Sequence, residues 1–330
     1  MRLSLLLLAV FFTLPQAHAQ TPEPDTDHDG LSDTLEQTLI DRFTPTFFIG
    51  RDDCSNLPAE FAPDLPTPTV ARENGTIYAQ AFPVANDPSR AEIHFYHLWR
   101  RDCGQHPHPL DTEHVAVLLQ RSPAGDWHAL YWYAGAHENT VCDVSQITRA
   151  STLHAEDRGP KVWISPGKHA SYLAESLCNS GCGADRCTRM TALPAVPILN
   201  LGEPAHPMNG SVFIASPAWP LEAKMLHTNF PPAPVARLET LPDTDIAWFN
   251  PGRHPVQGII SRSSATEQVI AGGGQATTAA LDTANRNTSI ALDTAQTKTG
   301  NALTKSFHKT TRALGTATHD TVKALTPDSH

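Results

Sequence analysis

The sequence has few basic residues and no long apolar segment after its first 20 residues. Its 24 Lys and Arg residues are outnumbered by 34 Asp and Glu residues, which gives a formal net charge of -10. This balance leaves no general basic surface, so we expect no nucleic-acid partner for the main part of the chain. A membrane-spanning helix needs roughly 20 apolar residues, and no later run approaches that length. The sequence therefore predicts a soluble mature chain.

Aromatic residues are also scarce, at 7% of the chain, whereas Pro occurs 28 times. The apolar stretches are short, rich in Val, Ile, Tyr and Trp, and separated by clusters of Pro, Gly, Asn and Asp. This pattern favours antiparallel strands over helices that alternate with parallel strands. The predicted strands are 76–82, 92–99, 114–119, 127–133, 162–165 and 212–214. We therefore predict a mainly β fold, with an antiparallel β-sandwich body over residues 46–258.

The N-terminus has the order of features of a secretory signal. Met1 and Arg2 precede an apolar run over residues 3–14, and an A-x-A sequence ends at Ala19. An apolar run of about a dozen residues is too short for a membrane anchor. We predict a signal peptide over residues 1–19 with cleavage before Gln20. The mature protein would then be secreted or periplasmic, in an oxidising compartment that contains calcium.

No cysteine lies outside the segment 54–187. The six are Cys54, Cys103, Cys142, Cys178, Cys182 and Cys187. An even number in an exported chain predicts disulfide bonds, in any of 15 pairings that the sequence does not decide. The three cysteines at 178–187 could instead hold zinc, but their spacing, C-x3-C-x4-C, lacks a second paired half. Disulfide bonds are therefore the prediction.

A repeat of 11 residues organises the last segment, 259–330. Ala-Leu pairs begin at positions 280, 291, 302, 313 and 324. Eleven residues make three helical turns, so the pairs fall on one face of a long amphipathic helix. The alternatives for this tail are a right-handed coil that could self-associate, contact with a membrane surface, and a frayed, solvated helix. The oligomeric state stays open.

Residues 25–36 match the full pattern of a calcium-binding loop, D-x-D-x-D-G-x-x-D-x-x-E. The predicted ligands are the side chains of Asp25, Asp27, Asp29, Asp33 and Glu36 and the backbone carbonyl of Leu31. Residues 31–43 would form the exiting helix, and no entering helix precedes the loop. We predict a calcium-loop module over residues 20–45, in which a calcium ion has a structural role. A helix cap without an ion is the alternative.

A second group of ligand-type side chains stands at 108–114, in the sequence H-P-L-D-T-E-H. Residues two apart on a strand share a face, so Asp111 and Glu113 would point the same way, with His108 reaching in from the preceding turn. Hard oxygen ligands with one imidazole suit a second divalent cation, magnesium, calcium or manganese, better than a structural zinc. The alternative is a polar strand end without an ion.

Two of these segments resemble known families. The run H-x-x-D-x-E-H-V at 108–115 and the run K-H-A-S-Y at 168–172 resemble the vacuolar-protein-sorting-62-like family. The first run also resembles, more distantly, a motif of the necrosis-inducing cytolysins. The loop at 25–36 is similar to the single calcium loops of thrombospondin-type and dockerin-like modules. The resemblance covers roughly residues 25–220 and implies a β-sandwich.

The resemblance to the cytolysins also implies a cation site. In that family the His, Asp and Glu of the motif hold a divalent cation at a site that engages plant membrane lipids. Carried over by position, the ligands are His108, Asp111 and Glu113, with His169 as a neighbour. Positions 110 and 112 depart from the first family, because Leu and Thr stand where it has Gly and Trp.

Three classes of function follow from these predictions. The leading one is cation-dependent contact with a glycan, a glycolipid or a cell-surface component. The second is a metal-dependent hydrolase, in which a cation at Asp111 and Glu113 activates water. Its base would be one of three nearby candidates, His114, His137 or His169. No G-x-S-x-G motif is present, which excludes the usual serine hydrolase. The third is a structural envelope protein that calcium and disulfides stabilise.

Overall fold

The structure is a computed structural model that describes residues 23–261, except 56, 105–106, 141, 182–184, 196–197 and 252–258. The predicted signal peptide and the 11-residue repeats of the predicted tail lie outside the described residues. Only the first three residues of that tail segment are described, and they form a strand. Among the helices of the described part, none combines the length and the apolar character needed to cross a bilayer.

A sheet of eight strands is the largest element. In spatial order it contains β12 (Ile198–Asn200), β4 (Ile77–Val84), β5 (Asp87–Asp102), β6 (His108–Arg121), β7 (Trp127–Ala134), β8 (Gln146–Arg149), β15 (Asp245–Trp248) and β16 (Ile259–Ser261). Neighbouring strands are antiparallel except β12 and β4, which are parallel. The two longest strands, β5 and β6, pair along most of their length. Their shared end carries the site described below.

A second sheet of four strands packs against the first. Its order is β10 (Ser171–Tyr172), β9 (Lys161–Ile164), β1 (Thr46–Gly50) and β11 (Met190–Ala192), with β1 and β9 parallel. Two small hairpins complete the strands, β2 (Ala59–Phe61) with β3 (Val70–Glu73) and β13 (Gly202–Glu203) with β14 (His206–Pro207). The mainly β prediction is confirmed, but two strand pairs are parallel where the sequence analysis expected antiparallel pairing throughout.

Short helices cover the remaining faces. They are α1 (Asp33–Phe43), α2 (Glu175–Asn179), α3 (Leu221–Met225) and α4 (Pro232–Glu239), with 3-10 turns at Ser151–Leu153 and Val212–Ala215. The 3-10 turn at Val212–Ala215 shows that the predicted strand at 212–214 is wrong. Phe213 and Ile214 are buried while Val212 is 40% exposed, so the segment does not alternate as a strand would. Periodicity cannot separate strand from helix in an apolar run this short.

The main core lies between the two sheets. It takes alternate residues from the centre of the large sheet, such as Ile93, Phe95 and Val117, and meets Phe47 and Ile164 of the small one. Helix α1 adds apolar side chains to the same core, namely Leu39, Ile40 and Phe43. The other face of the large sheet is buried too, under α3, α4 and the turn at Val212–Ala215. Both faces therefore carry apolar clusters, and the second face also buries polar side chains in the middle of the sheet, among them Gln80, Glu92 and His94.

The predicted disulfides are present. Cys54 pairs with Cys103, and Cys178 pairs with Cys187. Cys142 is disulfide-bonded as well, and Cys182 lies outside the described residues. The zinc alternative for the cysteines at 178–187 is therefore wrong for Cys178 and Cys187, because their sulfurs are bonded to each other.

Replacing Trp132 by Ala should lower the free energy of unfolding by about 3–5 kcal/mol, because a large ring is removed from a packed core. Trp132 is fully buried, and its indole N–H donates to the Ala155 carbonyl at 3.1 Å. The control is Leu226→Ala, where the side chain is 64% exposed and the change should stay within about 0.5 kcal/mol. Urea unfolding of both variants tests this, and equal losses would contradict the assigned core.

Candidate functional site

A cavity of about 620 Å³ opens at one end of the large sheet. The end of β5, the start of β6 and the segment after β7 meet there, because antiparallel neighbours bring these ends to the same edge. Five carboxylates line the cavity, from Asp102, Asp111, Glu113, Glu138 and Asp143, together with the ammonium groups of Lys168 and Lys224. The lining of the cavity therefore contains three more carboxylates than lysine ammonium groups.

The three predicted ligands of the second cation all border this cavity. Asp111 and Glu113 lie two apart on β6, opposite Trp99 and His97 of β5. His108 begins the strand, is 53% exposed at its side chain, and approaches Asp102 with Nε2 at 3.5 Å from Oδ2. Their ligand atoms do not converge closely: among the described residues, the groups that meet within 4.8 Å are the aspartates of the N-terminal loop and Asp53 with Cys54 and Cys103. The predicted ligand set stays a prediction.

The backbone at Leu110 has the left-handed conformation, with φ of 60°. The Leu110 carbonyl accepts a hydrogen bond from His108 Nδ1 at 2.9 Å, which closes a short turn between the predicted ligands. Glycine adopts this conformation without strain, so a leucine here is an uncommon choice.

Glu113 is a buried carboxylate without a complete set of partners. Its Oε2 makes no hydrogen bond, and the nearest cationic atom is Lys224 Nζ at 3.8 Å. Burial raises the pKa of Glu113 well above its ordinary value. Lys224 itself donates to the Thr112 carbonyl and to Glu138 Oε2, each at 2.9 Å. Its ammonium is thus one of two lysine counterions in the cavity, the other being that of Lys168.

His169 holds Asp111 in place. Its Nδ1 lies 2.8 Å from Asp111 Oδ2, its Nε2 lies 3.6 Å from Asp53 Oδ2, and its ring stacks on Trp99 at 3.9 Å. Burial alone would lower the pKa of His169, but the hydrogen bond to Asp111 and the nearby carboxylate of Asp53 raise it above its ordinary value. The sequence nominated His169 as a neighbour of the cation, and the structure places it beside Asp111.

The other two nominated histidines also border the cavity. His114 is buried, with Nε2 at 2.9 Å from Asn229 Oδ1 and Nδ1 at 3.4 Å from Glu138 Oε2. His137 has Nε2 at 2.6 Å from Asp185 Oδ2, which gives a histidine and carboxylate pair at the cavity wall. Each imidazole therefore already has a carboxylate or amide partner on one nitrogen.

Five charged residues of the cavity were not among the predicted site residues, namely Asp102, Glu138, Asp143, Lys168 and Lys224. Asp102 accepts from Lys168 Nζ at 3.1 Å and pairs with His108 across the two strands, so a correct strand register would have found it. Glu138 and Lys224 come from distant segments, and no local sequence pattern marks them. The Cys54–Cys103 bond lies next to both Asp53 and Asp102, which ties these two acidic segments together. Because those sulfurs are bonded to each other, they are not metal-binding thiolates.

The N-terminal loop brings Asp25, Asp27 and Asp29 together, with ligand oxygens within 4.8 Å of one another. Glu36 is fully buried and its Oε1 has no partner. Four further buried oxygens of the loop aspartates also lack hydrogen bonds. Buried carboxylate oxygens without partners are costly, and a hard cation satisfies them, since calcium takes six to eight oxygen ligands. The donor set therefore fits calcium.

Electrostatics in the loop agree with this fit. Burial, with the charges of neighbouring aspartates, raises the pKa of Asp27 to about 6 and that of Glu36 to about 9. Burial also raises the pKa of Asp29 to about 7. A bound divalent cation would favour the ionised forms of all three.

Two of the predicted loop ligands make other contacts. Asp33 accepts from the backbone N–H of Thr26 at 2.7 Å and from its hydroxyl at 2.6 Å, and these bonds lower its pKa. Leu31 donates its N–H to Asp29 Oδ1 at 2.6 Å. Asp33 thus fastens the start of the loop to the first turn of α1.

Behind the cavity, His97 forms the back of the site. It is fully buried, its Nδ1 accepts from the Trp99 indole N–H at 2.8 Å, and its Nε2 lies 2.7 Å from Ser171 Oγ. Because Nδ1 accepts, the proton of the neutral ring is on Nε2 and is donated to Ser171. Burial lowers the pKa of His97 well below its ordinary value, and the neighbouring His169 lowers it further. This neutral histidine fixes Trp99, on which His169 stacks.

Known proteins match this chain only through solved structures. No known family and no curated protein matches the sequence, so the resemblance to the vacuolar-protein-sorting-62-like family stays a sequence-based prediction. Similar structures include NLPPya in complex with glucosamine, at 15% identity over 59% of this chain and 83% of that chain, with a TM-score of 0.35. Another is Necrosis and Ethylene inducing Protein 2 from the causal agent of cocoa's Witches Broom disease, at 17% identity, 48% and 70% coverage, and a TM-score of 0.31. A third is described as a toxin fold for microbial attack and plant defense, at 15% identity, 55% and 77% coverage, and a TM-score of 0.33.

Acid should destabilise the protein partly through His97. Because its pKa is lower in the folded state, the unfolded state binds more protons below the ordinary value of roughly 6.5, and stability falls as the pH drops through that region. In His97→Gln the slope of unfolding free energy against pH should be smaller by up to about 1.4 kcal/mol per pH unit. Ser171→Ala, which removes only the hydrogen-bond partner, should keep the wild-type slope. Urea titrations across this pH range measure both, and an unchanged slope in His97→Gln would show that another group titrates.

Proposed function

We propose that the protein binds a divalent cation in the 620 Å³ cavity and uses it to bind a glycan or the head group of a glycolipid at a cell surface. The observation that carries this proposal is Glu113 Oε2, a buried carboxylate oxygen without a hydrogen bond. It lies in a cavity whose acidic groups exceed its lysines by three. Such an excess of buried negative charge favours cation binding.

Four residues are suited to hold the cation. Asp111 and Glu113 project from β6, and Asp102 and His108 stand beside them at the facing strand ends. Mostly carboxylate donors suit magnesium, calcium or manganese. His169 and Asp53 would fix the orientation of Asp111, as outer residues do in metal sites generally. The cation would supply positive charge for sugar hydroxyl or phosphate oxygens.

The rest of the cavity suits a polar ring. Its volume is within the roughly 300–1,000 Å³ typical of small-molecule sites. The amide groups of Asn139, Asn229 and Asn250 and the rings of Tyr133 and Phe249 line its wall. After one divalent cation is bound, the lining keeps an acidic excess, so we expect a preference for amino sugars. Glucosamine and mannosamine are suitable first probes, and NLPPya has been solved with each of them.

We further propose that the N-terminal loop binds calcium with a structural role, on the strength of its five buried carboxylate oxygens without partners. Export through the signal at 1–19 and contact of the tail at 259–330 with a membrane surface are part of the same proposal. They rest on the sequence, since those segments lie almost wholly outside the described residues.

A metal-dependent hydrolase is the second candidate. The observation that favours it is the pair of His137 and Asp185 at the cavity wall, in which the carboxylate would support a histidine acting as a base. This alternative predicts metal-dependent turnover, whereas the binding function predicts none.

Neutralising the cavity carboxylates should remove one bound ion. In Asp111→Asn/Glu113→Asn, metal content by mass spectrometry should fall by one divalent ion per chain, and calorimetric binding of glucosamine should weaken at least tenfold. The crossed control is Asp25→Asn/Asp27→Asn, which should lose the loop ion and keep the cavity ion.

The same experiment separates the three functions. Loss of the ion and of sugar binding supports the proposal, and metal-dependent turnover on glycoside or ester panels would replace it by the hydrolase. If the cavity variant keeps its full metal content, the cavity is not a cation site and the structural role takes the lead.

Calcium should raise the melting temperature through the loop. At a calcium concentration about 100 times Kd, the gain is about 2.7 kcal/mol, or roughly 5–10 °C for a body of this size. Glu36→Gln should abolish the gain, while Glu239→Gln, at an exposed carboxylate of α4, should keep it. Differential scanning calorimetry with calcium and with a chelator measures this, and a calcium gain that survives Glu36→Gln would contradict the assigned ligand.

A further inference from the structure

The N-terminal loop lies against a part of the body that the loop motif does not include. Asn200, at the end of β12, donates from Nδ2 to Glu36 Oε2 at 2.8 Å, and both side chains are buried. Asn200 is itself fixed, because its Oδ1 accepts from the Gly202 N–H at 3.1 Å and its backbone carbonyl accepts from the Asn209 side chain. The amide is therefore already oriented to hold one oxygen of Glu36 while the other stays without a partner.

Glu203 faces the same loop from β13. Its Oε1 accepts from Gln80 Nε2 at 2.9 Å, which leaves its second oxygen without a partner among the described side chains. Burial raises the pKa of Glu203, and the charge of Asp27 raises it further. The charge of Glu203 in turn contributes to the raised pKa of Asp29. A few residues on, the ring of His206 lies 4.8 Å from that of His28, so loop and hairpin are in contact on both sides of Glu203.

The carboxylates of Asp25, Asp27 and Asp29 lie within 4.8 Å of one another, and the charges of Glu36 and Glu203 interact with theirs. Within the described part of the chain, no lysine or arginine forms an ion pair with any of them. Like charges this close repel one another unless a cation lies between them or protons neutralise them. The contact between loop and hairpin therefore needs either protons on these carboxyl groups or a cation, since no lysine or arginine of the described residues pairs with them.

We propose that the ion of the N-terminal loop is shared between the loop and the body. Glu203 contributes an additional carboxylate from β13, and Asn200 is a positioning residue that orients Glu36. The ligand is a calcium-sized divalent cation, since carboxylates on two separate segments suit its large and flexible coordination shell. This inference rests on the proposed calcium site and adds the residues of the body that complete it.

Ion binding would then dock residues 23–43 on the edge of the large sheet. Helix α1 begins within the loop and carries Leu39, Ile40 and Phe43 into the main core. Without the ion, repulsion between Glu203 and the loop opposes the same docking. The state of the ion is therefore linked to the packing of the first helix, and not only to the order of a surface loop.

Calcium titration of the full chain tests the proposal. Isothermal calorimetry should show about tenfold weaker binding in Asn200→Ala, as for other residues that orient metal ligands. Glu203→Gln should weaken binding by at least as much. Glu36→Gln should abolish binding, and Glu239→Gln, at an exposed carboxylate remote from the loop, should bind as the wild type does.

A second readout separates an ion ligand from a residue that is merely structural. In a chelator, Glu203→Gln should melt at a higher temperature than the wild type, because a repulsive charge is gone, while its gain on adding calcium should be smaller. Hydrogen exchange over residues 23–43 should slow with calcium in the wild type and change less in Glu203→Gln and Asn200→Ala.

The outcomes are distinct. If Glu203→Gln and Asn200→Ala bind calcium like the wild type while Glu36→Gln does not, the loop binds its ion alone and the shared site is overturned, although the calcium site stands. If the wild type binds no calcium, both fail. If Glu203→Gln melts lower than the wild type with and without calcium, Glu203 has a packing role and the shared site is also overturned.

Discussion

The accumulation of buried carboxylates beyond the available cations is the constraint on which the rest of this structure depends. It occurs twice, at the N-terminal loop and at the end of β5 and β6. In each place burial raises the pKa of at least one carboxyl group, so the folded chain either binds protons there or binds a cation. A protein that needed only stability would avoid this arrangement, since apolar residues of similar size are cheaper to bury. These buried oxygens without hydrogen-bond partners are the observation behind the two proposed cation sites.

The fold explains why the two clusters can exist. The large sheet has apolar clusters on both faces, and the two acidic clusters lie at one of its ends and at its outer edge, where loops and short helices cover them. At one end, the long pairing of β5 and β6 fixes Asp102 opposite His108. At the outer edge, β12 and the β13–β14 hairpin receive the N-terminal loop. The strand pairing in the middle of the sheet thus positions the two acidic clusters at its margins.

The features that could be predicted from the sequence are those set by residues close together along the chain. The loop at 25–36 was predicted from acidic residues that follow one another in a short local pattern, and its calcium ion stays a prediction. The strands at 92–99 and 127–133 were predicted because these segments are rich in aromatic residues. The start of β6 was placed at 114 although the strand begins at His108, because its first residues are polar and Leu110 interrupts the alternation. Glu138, Lys224, Asn200 and Glu203 reach the sites only through tertiary contacts. Chain topology, rather than composition, decides such partners.

The position of the Lys224 ammonium affects how strongly the cavity would bind a cation. Its ammonium neutralises Glu138 and stands near Glu113, and it is carried by α3, a helix of only five residues. A cation bound by Glu113 would compete with this ammonium for the same carboxylate. The affinity of the proposed cation site would therefore depend on the charge of Lys224 as well as on the carboxylates that hold the ion.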